Sequence, residues 1–232
     1  MLKYLNTVRK EINVLVAISL LILLLKILWL NRIPAIFSFA SEAGEVVDRL
    51  CASIISSYLF FMIVVHFKSE KDKESINPYV LIYVNRIVNE CISQLNAFQK
   101  ASNISLNLDD LTLELVKSVF AKIHPRNESP LIIGYGSPKA DWLQFLAHSQ
   151  FRTARMIEKL FIKITFLDPQ LVRYLSDIDD CSHFNVIQSS ATLPVSNATL
   201  EAWADSFFEY CLLISKLDKH AKKKLALYSL SK

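Results

Sequence analysis

Glycine is almost missing from this chain: its 232 residues contain three, Gly44, Gly134 and Gly136. Soluble proteins carry about 7% glycine on average. A phosphate-cradling loop needs several glycines so that backbone N–H groups can approach the anion. Neither G-x-G-x-x-G nor G-x-x-x-x-G-K-[ST] occurs, which argues against a P-loop NTPase or a dinucleotide-binding enzyme. Cysteine is also sparse. Cys51, Cys91, Cys181 and Cys211 stand far apart with no Cys-x-x-Cys pair, so neither a zinc site nor a disulfide framework is expected. Packed, reduced thiols are the plain expectation. The net charge of +4 is too small to mark a nucleic-acid binder by itself. The expectation is a non-enzyme, with no cofactor, no metal and no small-molecule substrate.

What the chain does have is long apolar runs. Hydrophobic residues make up 52% of it, and its mean hydropathy is +0.30. From Ile12 to Leu30 the sequence INVLVAISLLILLLKILWL carries one charge, Lys26. At about 1.5 Å per residue this run covers roughly 28 Å, close to the hydrocarbon thickness of a bilayer. It is longer than the apolar core of a signal peptide and ends in Leu-Trp-Leu rather than in small residues, so it is read as a retained transmembrane helix. Trp29 stands where an interfacial aromatic belongs. A second run, LCASIISSYLFFMIVVHF over 50–67 and extended outward by Val46 and Val47, lacks Asp, Glu, Lys and Arg. Within it Ala52 and Ser56, and Ser53 and Ser57, are small residues four apart, the spacing that lets two helix backbones approach. The serines have a second reading, as hydroxyls bonded back to their own helix.

Basic residues set the orientation. Lys3, Arg9 and Lys10 precede the first span, and Lys68, Lys71 and Lys73 follow the second. The connector holds only Arg32 among its basic residues, beside Glu42 and Glu45. The positive-inside rule then predicts a two-pass membrane protein with both termini cytoplasmic and the connector outside. Lys26 falls about 6 Å from the outer end of the first span. Three readings suit it: snorkelling to the outer headgroups, an ion pair with Asp48 or Glu45 on the second span, or the polar lining of an oligomeric pore.

The expected fold is mainly α, an N-terminal two-helix transmembrane hairpin followed by a cytoplasmic helical domain. The divisions are a cytoplasmic N-terminus (1–11), a span (12–30), an external connector (31–45), a span (46–67), a charged linker (68–77) and the helical domain (78–232). In that domain Val80, Val84, Ile87, Val88, Cys91, Leu95 and Phe98 recur at three- and four-residue steps, predicting an amphipathic helix. NLDDLTLELVKSVFAKI predicts another, with an Asn or Asp cap. LIIGYGSP reads as a short strand or as an extended lead into a helix starting at Ser137–Pro138. That helix is expected to run unbroken to Asp168–Pro169. PQLVRYLSDI follows as a shorter helix, then a loop over 179–197, then a last helix over about 198–227. On this last helix Leu200, Trp203, Phe207, Cys211, Leu217 and Leu225 favour one side.

Candidate chemistry is thin. Asp177, Asp179, Asp180, Cys181 and His183 form the densest polar cluster, readable as a metal or acid–base site or as a solvated loop. His148 and Ser149 are neighbours on a predicted helix and therefore point apart. His66, at the inner end of the second span, reads as an interfacial residue or a pH sensor. Lys216, Lys219, Lys222, Lys223 and Lys224 form a basic face for anionic lipid or nucleic acid, or a merely solvated helix end.

The stretch ASEAGEVVDRLCASIISSYLFFMIVVHF (40–67), followed by charges and a long amphipathic helix, resembles small bacterial proteins with two membrane spans and a cytoplasmic domain. It is similar to the two-transmembrane effectors of retron-type anti-phage defence systems, over about residues 12–101. The resemblance implies a toxin-like effector that perturbs the membrane when triggered, causing growth arrest. Its implied partners are membrane lipid, further copies of itself through the hairpin, and a cytoplasmic protein or ribonucleoprotein such as a reverse transcriptase with its RNA–DNA product. A membrane-anchored helical scaffold or sensor that docks a cytoplasmic protein is the alternative, and an anchored enzyme the third.

Overall fold

A computed structural model describes residue 8 and residues 10–29, 39–134, 138–192 and 194–229. The chain is mainly helical, as its glycine-poor sequence predicts. It divides into two compact units, residues 1–75 and 76–232. The division falls inside the stretch read from sequence as a linker.

The first unit is built on two helices, α1 (Lys10–Leu28) and α2 (Ala40–Phe60). A π-helical segment, Phe61–His66, follows α2 directly, and its wider turn lets the Phe67 N–H reach the Met62 carbonyl. Two helical stretches, Lys10–Leu28 and Glu42–Ser102, are long and apolar enough to cross a membrane. Only 11% of each apolar window is buried. Side chains such as Leu21, Ile27, Leu50, Phe60 and Ile63 are exposed instead, and water is a poor solvent for such a surface. Two boundaries differ from expectation. Residues 40–45, assigned to the connector, already form the first turn and a half of α2. The charged stretch 68–77 is not an open linker but part of helix α3 (Phe67–Ser102), since Lys, Glu and Asp at this spacing support a helix. Lys73 and Glu70 pair at 2.8 Å, a three-residue step along one face. Pro78 lies inside α3, where it has no N–H to give and one rung of the ladder is lost.

The second unit continues α3 from Ile76 and adds α4 (Leu113–Phe120), strands β1 (Glu128–Ile132) and β2 (Lys139–Asp141), α5 (Trp142–Phe161), α6 (Pro169–Asp179), α7 (Ser182–Thr192) and α8 (Ala204–Ser229). The seven α3 positions that recur at helical spacing are all buried, as expected. Aromatic rings fill the centre. Phe98 of α3 lies 4.7 Å from Phe120, 4.9 Å from Trp142 and 5.4 Å from Phe207, ring centre to ring centre. One side chain thus ties α3 to α4, α5 and α8, and such ring pairs add to the burial of their area.

Several expectations for this unit need correction. The cap of α4 is Thr112, whose hydroxyl accepts from the Leu115 N–H at 3.3 Å, and not an Asn or Asp upstream. Residues 139–141 form a strand paired antiparallel to β1, with Glu128 opposite Asp141. Helix α5 therefore starts after Asp141 and not at Ser137–Pro138, of which Ser137 lies outside the described residues. Asp141 and Gln144 make a reciprocal capping box, side chain to backbone in both directions, at 2.8 and 3.0 Å. The helix stops at Phe161, and a 3-10 turn, Ile164–Phe166, separates it from α6. Residues 182–192, read as loop, are helix α7. The last helix opens with a 3-10 turn at Leu200–Trp203 before α8 begins.

Candidate functional site

The strongest candidate lies between α1 and α2. Lys26 sits in the last turn of α1, where the helix dipole favours a cation. Its ammonium donates to Oδ2 of Asp48, in the third turn of α2. The Lys26 side chain is 20% exposed and that of Asp48 39%, so the pair is only partly shielded even without a surrounding lipid. Glu45, the other carboxylate considered for Lys26, pairs instead with Arg49 of its own helix at 3.3 Å. Asp48 Oδ1 is buried without a hydrogen-bond partner, which leaves the carboxylate with acceptor capacity unused.

Gly44 makes room for this pair. A Cβ at that position would stand 3.2 Å from Lys26 Nζ and 3.4 Å from Cε. The residue is absent from the sequence-based candidates. Its signal was available: a glycine one turn before Asp48, on the same face of α2, in a chain with three.

Toward the other end of the pair of helices, Tyr58 donates to Asn13 Oδ1 at 2.8 Å. With Lys26 meeting Asp48, this contact fixes α1 and α2 as antiparallel. Val16, Ser19, Cys51 and Met62 are buried in this unit, and the Ser19 hydroxyl donates to its own helix at Leu15. Ala52, Ser53, Ser56 and Ser57 are all exposed. The two rows of small residues therefore do not form the contact with α1. They stay exposed on α2.

The other sequence candidates do not converge. Asp177 and Asp179 end α6, and Asp180 caps it. These three carboxylates are exposed, whereas Cys181 and His183 turn inward. Burial pushes the Cys181 thiol up to about 11 and holds the His183 imidazole down at about 3. Burial, then Asp180, then Glu158 raise the Asp179 carboxyl. Among the described residues no group of three or more His, Cys, Asp and Glu side chains is placed to hold a metal. His148 is exposed and Ser149 buried, pointing apart as expected. His66 is half-buried and stacks at 6.0 Å on Phe61.

On α8, Lys216, Lys219 and Lys223 are exposed. Lys222 pairs with Asp218 at 2.6 Å, and this hydrogen bond and charge raise its ammonium pKa. The Lys224 side chain lies outside the described residues. Beside this face, His220 meets the Asp168 carboxylate at 2.8 Å.

Comparison with protein-family models, with curated proteins and with solved structures finds no match. The site alone carries the functional reading.

Proposed function

We propose that this chain is a toxin-like effector of a bacterial inner membrane, part of an anti-phage defence system, which perturbs the membrane when released or triggered. The observation that carries the reading is the Lys26–Asp48 pair set between two helices whose other faces are apolar and exposed. An ion pair at this position is costly to keep in hydrocarbon and is characteristic of a functional element. In this reading α1 and α2 cross the bilayer as a hairpin, with both termini cytoplasmic by the distribution of lysine and arginine. The strip of Ala52, Ser53, Ser56 and Ser57 accepts the same strip of another copy, since small residues let helices approach in lipid. Assembly brings several Lys26–Asp48 pairs together, and the acceptor capacity left on Asp48 draws in water or a neighbour's donor. The membrane potential falls and growth stops. The effector acts without catalysing a reaction and is held in check by a cytoplasmic protein or ribonucleoprotein.

The test is membrane potential, read by a voltage-sensitive dye after induction of the full chain alone in bacteria. Depolarisation is expected, and it is lost in Ser53→Leu plus Ser57→Leu and in Lys26→Leu at equal membrane abundance. Depolarisation unchanged in both variants refutes the mechanism. The second unit, with an aromatic core of its own, favours one other reading, a scaffold that the helices merely anchor. Exchange of residues 1–67 for an unrelated two-span hairpin separates the two, because a scaffold survives it and an effector does not.

A further inference from the structure

The second unit carries a groove between the outer faces of α3 and α5, with a volume of about 580 Å³. Its walls hold three of the eight arginines in the chain, Arg86, Arg152 and Arg155, together with Lys159. One carboxylate, Glu90, faces these four cations. The groove thus concentrates three unneutralised positive charges in a protein whose net charge is only +4. These residues lie 73 positions apart in the extreme and share no local motif, so the sequence does not display them as a cluster.

The cations are held, not loose. Glu90 has a side chain only 10% exposed, and its Oε2 lies 3.3 Å from Arg152 Nη2. A buried carboxylate of this kind fixes the guanidinium that it binds. The Arg86 guanidinium lies 5.3 Å from the centre of the Tyr83 ring, and Lys159 Nζ lies 5.7 Å from the same ring. Arg155 lies 5.3 Å from the centre of Phe151. A cation covers one face of a ring and leaves the other available, and Phe151 remains 56% exposed.

We propose that this groove binds a nucleotide, with its phosphates on Arg86, Arg152, Arg155 and Lys159 and its base on Phe151, since the Tyr83 ring is already packed against Tyr79 at 4.6 Å. Guanidinium forks match phosphate oxygens two at a time, and lysine adds a point charge. Flat aromatic faces take any base, by stacking. The volume is that of a small-molecule site, which favours a free nucleotide over a nucleic-acid strand or an acidic peptide.

The experiment is calorimetric titration of the full chain in detergent micelles with ATP, GTP, CTP and UTP in turn. Inorganic tripolyphosphate, adenosine, an oligothymidylate and a glutamate-rich peptide serve as the comparison probes. At least one nucleotide binds with a Kd below about 1 mM, and adenosine does not. Arg155→Ala with Lys159→Ala weakens that binding at least tenfold, with thermal unfolding unchanged. Phe151→Ala weakens the nucleotide more than it weakens tripolyphosphate. Arg152→Lys, which keeps a charge beside Glu90, checks the fork and also weakens binding. Absence of binding to all four nucleotides overturns the proposal. So does binding insensitive to these substitutions, or tighter binding of the oligothymidylate or the peptide than of any nucleotide.

Discussion

The Tyr58 hydroxyl donates to Asn13 Oδ1 at 2.8 Å, joining residues 45 positions apart. It is a second polar contact across this seam beside Lys26–Asp48, and hydrogen bonds between helices in lipid contribute about 0.6 kcal/mol on average. Tyr58→Phe keeps the ring and removes the donor. Cys51, buried on the same helix, reports opening of the seam through its rate of thiol labelling, resolved peptide by peptide by mass spectrometry. The variant should label about threefold faster at Cys51. An unchanged rate shows that this bond does not hold the helices.

Lys26 and Asp48 should behave as a unit. Removing one partner leaves the other charge in an apolar setting without compensation, and removing both does not. The Asp48 side chain is 39% exposed, so the single loss is set at about 2 kcal/mol, below the usual cost for a buried pair. In liposomes, Lys26→Leu should raise Cys51 labelling roughly thirtyfold. Lys26→Leu with Asp48→Leu should return it to within about threefold of the parent chain. If the double variant is as open as the single one, the two side chains are not coupled.

Gly44 gives a graded test of the same contact. The nearest atoms to an added Cβ are the far end of a flexible lysine, so Gly44→Ala displaces little. It also gains about 1 kcal/mol of helix propensity. Gly44→Val places branched carbons where the ammonium lies. Labelling of Cys51 should be unchanged or slower in the alanine variant, and in the valine variant it should fall between the parent and Lys26→Leu. Equal rates for all three show that Gly44 does not face the lysine.

His183 sets a pH dependence in the second unit. Burial holds its folded pKa at about 3, against about 6.5 in the unfolded chain. Between these values the unfolded state binds a proton that the folded state refuses. Stability is therefore full above about pH 6.5 and declines as the pH falls toward 3, by at most about 1.4 kcal/mol per unit. The ring lies 5.3 Å from Phe207 and 5.4 Å from Tyr210, a setting that accepts another aromatic. His183→Phe should flatten the dependence of the thermal midpoint on pH between 7 and 5, and His183→Leu should do the same. Slopes equal to that of the parent chain assign the effect to other groups.

These residues also mark where the sequence was informative. The buried face of α3 was legible because Val80, Val84, Ile87, Val88, Cys91, Leu95 and Phe98 keep strict helical spacing, and spacing alone selects the face. Helix α7 was not. It has few apolar residues, and Ser189, Ser190 and Thr192 are side chains usually read as loop formers. In the structure they donate back to Asn185, Val186 and Gln188, satisfying their hydroxyls inside the helix. The start of α5 was encoded in Asp141 and Gln144, three residues apart, but the apolar run around them drew the boundary upstream. At the candidate site, the height of Lys26 followed from the helix rise, which narrowed its partners to Asp48 and Glu45. The choice between them did not follow, because Glu45 is taken by Arg49 on its own helix. Gly44 and the groove between α3 and α5 depend on how helices are placed side by side, which periodicity does not carry.

Paired, Lys26 and Asp48 sum to zero charge, so a bilayer's electric field does almost no net work on the two together. Separated, each behaves as a gating charge of opposite sign, worth about 2.3 kcal/mol per 100 mV for a full crossing. In the proposed two-span hairpin the pair therefore acts as an electrical latch. While it is closed the helices are indifferent to voltage, and any event that parts it makes the same two residues responsive to the energised state of the cell.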